Sequence, residues 1–321
     1  MSQIRVDVPA TCSGIGAERG TLALAIGLYN TIEIAEADQG LHIDIEGFGE
    51  SALSRSTRNL VVKAATEVFR KIGVVPSGLA IKLINRFPER CGLGGSSAAV
   101  LGGLIGANDL LGGPLSREEL IRVAYTIDAD FAALLAALYG NLVVTASNSE
   151  QVIFRAIPIK PLELCVVSSI STEPASVTVT QSSNAVQQPY EEGRVALIVQ
   201  ALMAGDHDLL RDTLLDPVAM FAGKTQIRGH REVTNAAIEA GASGVFVAGH
   251  GPALAAFAPQ KHEAVVAAMV DTWKQYSNAE IVSWILPVET HGVSISETGV
   301  VFDSQRALPI SAGGNPVRYI T

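Results

Sequence analysis

The most informative stretch of this chain is Pro88-Glu-Arg-Cys-Gly92-Leu-Gly94-Gly95-Ser96-Ser97-Ala98-Ala99. It follows segment 79–84, whose alternating pattern predicts a strand, and it leads into the small residues of segment 98–111. Glycines let backbone N–H groups converge, and the positive end of the following helix dipole attracts an anion. The order strand, glycine loop and helix therefore predicts a phosphate site. A glycine turn capped by serine is the alternative.

Two hydroxyl groups follow the glycines of this loop. Those of Ser96 and Ser97 can donate to a phosphate or bind Mg²⁺, and the two alanines after them let the helix approach closely. The loop is not a Walker A motif, because Gly-Lys-Ser/Thr is missing. It is not a dinucleotide fingerprint either, because no acidic residue follows at the ribose spacing.

The segments on either side of the loop begin with strands and continue with helices. A capping box at Ser116 and Glu119 starts one helix, and Gly73 ends another. The predicted elements are a strand at 4–8, a buried strand pair over 22–34 after a glycine turn, helices at 59–72, 116–126 and 130–138, and a strand at 141–146.

From about residue 155 the pattern changes, which predicts a second domain. Its elements are strands at 162–168 and 280–286, helices at 191–204, 208–215, 231–240 and 261–276, and two strands joined at Gly249-His250-Gly251-Pro252. This order is that of a ferredoxin-like split βαβ unit. We expect an α+β protein with domains at 1–155 and 156–297 and a packed, ordered extension at 298–321.

The composition of the 321 residues excludes several functional classes. With 48% hydrophobic residues the chain is not disordered, and a net charge of −9 with 5% aromatic residues argues against nucleic acid as a partner. No apolar run reaches the roughly 18 residues of a membrane span, and the N-terminus lacks the apolar core of a signal peptide. The three cysteines lack metal-ligand spacing, so we expect a reducing, cytoplasmic location without membrane contact.

Several motifs in a fixed order resemble those of the GHMP kinases and, within that family, the homoserine kinases. They are Val8-Pro-Ala-Thr11, Asn59-Leu-Val, the gapless match of Pro-x-x-x-Gly-Leu-Gly-Ser-Ser-Ala-Ala onto residues 88–98, and Gly249-His-Gly-Pro252. The resemblance covers about residues 5–296. It implies an N-terminal domain like ribosomal protein S5 domain 2, with a left-handed βαβ crossover, a ferredoxin-like C-terminal domain, and ATP in the cleft between them.

The resemblance also implies which residues hold the cofactors ATP and Mg²⁺. Asn59 would contact adenine, Ser96 and Asp128 would bind Mg²⁺, and the phosphates would be wrapped by Gly92, Leu93, Gly94, Gly95, Ser96, Ser97 and Ala98. Gly95 stands where the family has its first serine. The alternative for Asp128 and Asp130 is a pair of solvated carboxylates at the start of a helix.

The positions that homoserine kinases use to hold the amino acid are changed in this chain. The replacements are Gly14, Gly20, Asp130, Ala132, Ala133 and a position near Gly223. Losing several polar partners at once leaves the charged groups of an amino acid unpaired, which argues against homoserine as substrate. Thr172 and Arg194 are retained. Arg194 could clamp a carboxylate or a transferred phosphoryl group, or lie on a helix surface.

Asp130 is the best candidate to accept a hydroxyl proton, although phosphoryl transfer needs little acid–base chemistry. His250 is either a functional imidazole or a turn histidine. We therefore expect an ATP-dependent phosphotransferase acting on a small hydroxylated metabolite. The alternatives are a phosphoribosyl-transferring synthase on the same fold, like ribofuranosylaminobenzene phosphate synthase, and a degenerate nucleotide-binding protein. The sequence is compatible with a homodimer.

Overall fold

The computed structural model describes residues 3–16, 20–147, 152–170, 188–214, 228–249, 251–298 and 318–320. These residues form two β-sheets with helices packed against them. The predicted α+β class is confirmed. Thr172, Gly223 and His250 lie outside the described residues.

The first half of the chain supplies most of the larger sheet. Its elements in chain order are β1 (Gln3–Ser13), β2 (Leu22–Glu36), β3 (Gly40–Gly47), α1 (Leu60–Ile72), β4 (Gly78–Asn85), α2 (Gly95–Leu110), α3 (Arg117–Ile127), α4 (Phe131–Tyr139), β5 (Leu142–Ser147) and β6 (Val152–Ile157).

The second half supplies the smaller sheet and then returns to the larger one. Its elements are β7 (Glu163–Ile170), α5 (Gln188–Ala204), α6 (His207–Leu214), α7 (His230–Glu239), β8 (Gly244–Val247), β9 (Leu254–Phe257), α8 (His262–Lys274), β10 (Glu280–Pro287), β11 (Ser294–Thr298) and β12 (Arg318–Ile320).

The two sheets have different strand orders. The larger runs β11-β1-β2-β5-β6-β12, with β4 paired to β2, and β3 paired to β4 in parallel. The smaller is antiparallel and runs β10-β7-β9-β8, which is the order expected for the predicted ferredoxin-like unit. Because β11 pairs with β1, the chain crosses back to the first sheet after β10. The domain limits at 155 and 297 stay a prediction.

Helix ends follow the local signals in the sequence. The side chain of Asn59 caps α1 by accepting from the backbone N–H of Val61 at 3.0 Å, and Gly73 ends the helix with φ of 78°. The Ser116 and Glu119 capping box forms at the start of α3. Both helices therefore begin within a residue of their predicted positions.

The prediction of a strand pair over 22–34 is wrong, because this segment is one 15-residue strand, β2. It pairs with β1 along nearly its whole length, and a bulge between Pro9 and Ala10 takes up the mismatch in register. Strands β3 and β6 were not predicted. Residues 41–46 of β3 do alternate apolar and polar side chains, so its signal was present in the sequence and was overlooked.

Helices α1 and α2 pack unusually close, because α2 presents glycines to its neighbours. A Cβ built on Gly103 would lie 2.4 Å from the carbonyl oxygen of Val61 and 2.9 Å from Cβ of Ala64.

No helix in the described ranges is both long enough and apolar enough to cross a membrane.

We expect Gly103→Ala to destabilise the protein by about 1–2 kcal/mol, because overpacking outweighs the better helix propensity of alanine. The matched control is Gly193→Ala in α5, where an added Cβ meets nothing within 4 Å. That substitution should stabilise by about 0.5–1 kcal/mol. The measurement is the urea unfolding midpoint of both variants, and equal shifts would show that α1 and α2 are not in tight contact.

Candidate active site

The glycine loop leads directly into the 16-residue helix α2, as the sequence predicts. Gly94 is the N-cap residue with φ of 71°, and Gly92 has φ of 97°, a left-handed backbone that favours glycine. The first turn of α2 contains no acidic residue and no side chain caps it. Its free N–H groups and its dipole therefore remain available to an anion.

The loop packs against the turn between β8 and β9, so two separate glycine motifs meet. A Cβ on Gly92 would lie 2.2 Å from the carbonyl oxygen of Ala248, and one on Gly251 would lie 2.1 Å from the backbone nitrogen of Gly92. The N–H of Ala253 donates to the carbonyl of Cys91 at 2.9 Å. Only glycine permits this backbone approach, so the glycine motifs serve contact between the two halves of the chain.

The end of β1 lies on the other side of the loop. The N–H of Thr11 donates to the carbonyl of Leu93 at 3.0 Å, and a Cβ on Gly94 would fall 2.1 Å from the Thr11 hydroxyl oxygen. That hydroxyl is buried and finds no hydrogen-bond partner among the described residues. A buried hydroxyl without a partner is costly, and it is a donor beside the N-terminus of α2.

Two carboxylates lie between the end of α3 and the start of α4. Asp128 accepts from the hydroxyl of Ser97 at 2.7 Å and from the backbone N–H of Asp130 at 3.1 Å. Asp130 caps α4 by accepting from the N–H of Ala133 at 3.1 Å, and it accepts from the hydroxyl of Ser13 at 2.7 Å. The sequence did not single out Ser13, which lies on a different element more than a hundred positions away.

Both carboxylates are half-buried, and within the described ranges neither forms an ion pair with a lysine or arginine. Asp130 does start a helix, which fits the alternative of two solvated carboxylates at a helix start. However, the carboxylates of Asp128 and Asp130 also accept hydrogen bonds from serine hydroxyls. Ser97, rather than Ser96, touches Asp128. Such carboxylates near the N-terminus of α2 would suit a divalent cation.

No cluster of three or more histidine, cysteine or acidic side chains able to hold a metal is found in the described part of the chain. Mg²⁺ does not need one, since it usually binds through one or two carboxylates, water and the substrate's phosphates. Asp128 with a neighbouring serine hydroxyl fits that requirement.

A pocket lies between the N-termini of α1 and α2. Its apolar wall and its polar groups come from both helices, from β2 and β4, and from the glycine loop. The lining residues are Asn30, Ile32, Leu53, Asn59, Val61, Leu83, Asn85, Glu89, Gly95 and Ala99. The structure therefore brings the predicted base-contacting residue Asn59 and the predicted phosphate loop to one pocket.

The remaining predicted residues lie farther along the chain. Arg194 is partly exposed on α5, one turn before Ile198, whose side chain packs where a Cβ on Gly16 would lie. Helix α5 thus covers the glycine turn after β1. Ala132 and Ala133 are buried in α4 and offer no polar group.

The thiols near the loop are not nucleophiles. Burial raises the pKa of Cys91 to about 12, and burial with the neighbouring Cys91 raises the pKa of Cys12 well above its ordinary range. A thiol with such a pKa stays protonated at neutral pH. The chemistry of this site therefore rests on its carboxylates, hydroxyls and backbone N–H groups.

Comparisons with known proteins point to one family. Residues 59–141 match the model of the GHMP kinases N terminal domain. A homoserine kinase of Moorella thermoacetica is 34% identical over 268 residues, which cover 82% of this chain and 90% of that protein. One of Crocosphaera subtropica is 31% identical over 306 residues, covering 92% and 98%.

The chain belongs to the GHMP kinase family. Solved structures agree on the fold of this GHMP kinase. A homoserine kinase from Cytophaga hutchinsonii superposes with a TM-score of 0.78 at 21% identity, covering 92% of this chain and 97% of that one. A mevalonate kinase from L. major gives 0.62 at 19% identity, covering 89% and 96%. The resemblance to the GHMP kinases and the predicted fold class are both confirmed.

The GHMP kinase motif has serine at position 95, and the glycine found here has a steric explanation. A Cβ there would lie 2.4 Å from Cα of Glu89 and 2.6 Å from its carbonyl oxygen. The backbone of Glu89 occupies the space that a side chain at position 95 would need. Here the loop closes over the first residue of α2.

We expect Gly95→Ser to weaken Mg·ADP binding at least tenfold, although it restores the family's residue, because the side chain must displace the backbone of Glu89. Gly95→Ala should behave in the same way, since the cause is the Cβ and not the hydroxyl. Isothermal titration calorimetry measures the effect. Tighter binding by Gly95→Ser would show that the loop yields and that the hydroxyl is useful.

Proposed function

We propose that this protein is an ATP-dependent phosphotransferase that phosphorylates the hydroxyl group of a small metabolite. GHMP kinases use ATP, and the family implies small-molecule kinase activity. The observation that carries the proposal is the convergence of the glycine loop, the unpaired Thr11 hydroxyl and the Asp128–Asp130 pair around the N-terminus of α2.

In this proposal the nucleotide phosphates lie against the N–H groups of residues 92–98. Those groups and the dipole of α2 stabilise the negative charge that builds up during transfer. The hydroxyl of Thr11 is placed to donate one more hydrogen bond. Mg²⁺, when bound, neutralises phosphate charge, and Asp128 with Ser96 or Ser97 would hold it.

The acceptor hydroxyl lies on the side of Asp130. An oxygen of this carboxylate accepts the hydroxyl proton, while Ser13 and the N–H of Ala133 keep the carboxylate in one orientation. Arg194 and Thr172 would contact the acceptor or the transferred group. Most of the catalytic effect comes from positioning and charge stabilisation, so one weak base is enough.

Homoserine fits this acceptor side poorly. The positions that would hold its ammonium and carboxylate groups include buried Ala132 and Ala133, which have no polar side-chain atoms. The surviving charge at this place is the carboxylate of Asp130. We therefore propose an acceptor other than, or broader than, homoserine.

We expect Asp128→Ala to weaken the binding of ADP in the presence of Mg²⁺ by about 10- to 100-fold and to leave metal-free ADP binding nearly unchanged. The control is Asp38→Ala, which removes an exposed carboxylate from the turn between β2 and β3. Calorimetric titrations with and without Mg²⁺ measure both. An unchanged affinity in Mg²⁺ would remove Asp128 from the metal site.

We expect wild-type protein with Mg·ATP to release ADP when one of a panel of hydroxy amino acids, amino alcohols and polyols is added. Asp130→Asn should lower kcat for that acceptor by about 10²- to 10⁴-fold and leave Mg·ADP affinity within about twofold. Coupled detection of ADP gives the rates. Tight ATP binding without turnover would favour the degenerate binding protein, and turnover only with a phosphoribosyl donor would favour the synthase.

A further inference from the structure

The pocket between α1 and α2 suits the uncharged end of a nucleotide. Its walls carry the apolar side chains of Ile32, Leu53, Val61 and Leu83. A flat heteroaromatic ring with a few polar edge groups fits such walls, whereas a phosphate does not. The phosphate-binding N–H groups lie at the loop end, next to Gly95.

The asparagine side chains of this pocket are already engaged with the backbone. Asn30 accepts from the N–H groups of Arg86 and Phe87 at 2.8 and 3.2 Å. Asn85 donates to the carbonyl of Phe48 at 2.9 Å. Asn59 accepts from Val61 and donates to the carbonyl of Ser54 at 2.9 Å. These amides hold the pocket in shape and have limited capacity left for a ligand.

Glu89 is the exception among the polar groups of the pocket. Its carboxylate forms no hydrogen bond and no ion pair of 4 Å or less within the described residues, although it is only partly exposed. Burial raises its pKa, and the neighbouring Arg90 offsets only part of that effect. The half-buried Glu89 carboxylate therefore keeps its acceptor capacity for a ligand in the pocket.

We propose that Glu89 is a specificity-determining residue that accepts a hydrogen bond from an exocyclic amino group of the bound nucleobase. This inference rests on the proposed function, since it needs a nucleotide with its phosphates at the glycine loop. An ionised carboxylate only accepts hydrogen bonds, so it favours a base edge that presents N–H donors. It also repels the phosphates, which keeps the nucleotide in one orientation.

The position of Glu89 follows from the packing of the loop. Its Cα and carbonyl lie directly over Gly95, in the space that a side chain there would occupy. Glu89 lines the pocket together with Gly95 and with Asn59 at the N-terminus of α1. Gly95 and Glu89 therefore depend on each other, because the absence of a side chain at Gly95 leaves the space that Glu89 occupies beside the base.

The test compares the binding of Mg·ADP with that of the Mg complex of purine riboside diphosphate, which lacks the 6-amino group. Wild-type protein should prefer ADP by roughly tenfold or more, as expected for a hydrogen bond to a charged group. Glu89→Met has nearly the same shape and cannot accept, so it should bind both ligands with equal affinity. Glu89→Gln keeps one acceptor oxygen and should retain part of the preference.

Glu50→Met is the matched control, because Glu50 is an exposed carboxylate outside the lining of the pocket. It should keep the wild-type preference. The unfolding midpoint of ligand-free Glu89→Met should equal or exceed that of wild type, because the substitution removes an unpaired half-buried carboxylate.

The outcomes distinguish a failure of the proposed function from a failure of the role of Glu89. If wild-type protein binds neither diphosphate in Mg²⁺, both the proposed function and the role of Glu89 are wrong. If it binds both ligands equally, or if Glu89→Met keeps the preference for ADP, the phosphotransferase proposal stands and the role of Glu89 is overturned. If Glu89→Met binds both ligands more weakly by the same factor, the role of Glu89 is also overturned, because a damaged loop gives that result.

Discussion

The site depends on one steric constraint, the backbone contact between the glycine loop and the turn that follows β8. Gly92 and Gly251 approach so closely that a Cβ on either would overlap a backbone atom of the other segment. The loop is supplied by the first half of the chain and the turn by the second. This backbone contact therefore forms only when both halves are folded and in contact.

The end of β1 completes this arrangement, because it bonds to the glycine loop, to the turn after β8 and to the acidic pair. Its Thr11 bonds to the loop, and Ser13 bonds through its carbonyl to Gly249 and through its hydroxyl to Asp130. A strand is a rigid support, so the loop and the acidic pair are held at a fixed separation. Neither the loop nor the carboxylates would have a defined position on their own.

The sequence predicted the parts of the structure that depend on local signals. The capping residue Asn59, the Ser116–Glu119 box and the glycine loop ahead of α2 are all encoded within a few positions. Strand β3 was missed although residues 41–46 alternate apolar and polar side chains, and β2 was predicted as two strands although it runs without a break. The Ser13–Asp130 contact could not be predicted, since nothing in either segment indicates the other.

The polar groups left unpaired in the described part of the site indicate where its ligands act. The Thr11 hydroxyl lies beside Gly94 and the backbone of Glu89 lies beside Gly95, so both residues adjoin the N-terminus of α2. The buried Thr11 hydroxyl is costly without a partner, and burial raises the pKa of the Glu89 carboxyl. Their chemistry differs, since one offers a donor beside an anion site and the other an acceptor beside an apolar pocket. A ligand that satisfies both must be anionic at one end and carry hydrogen-bond donors at the other. A nucleotide with an amino-bearing base meets both requirements.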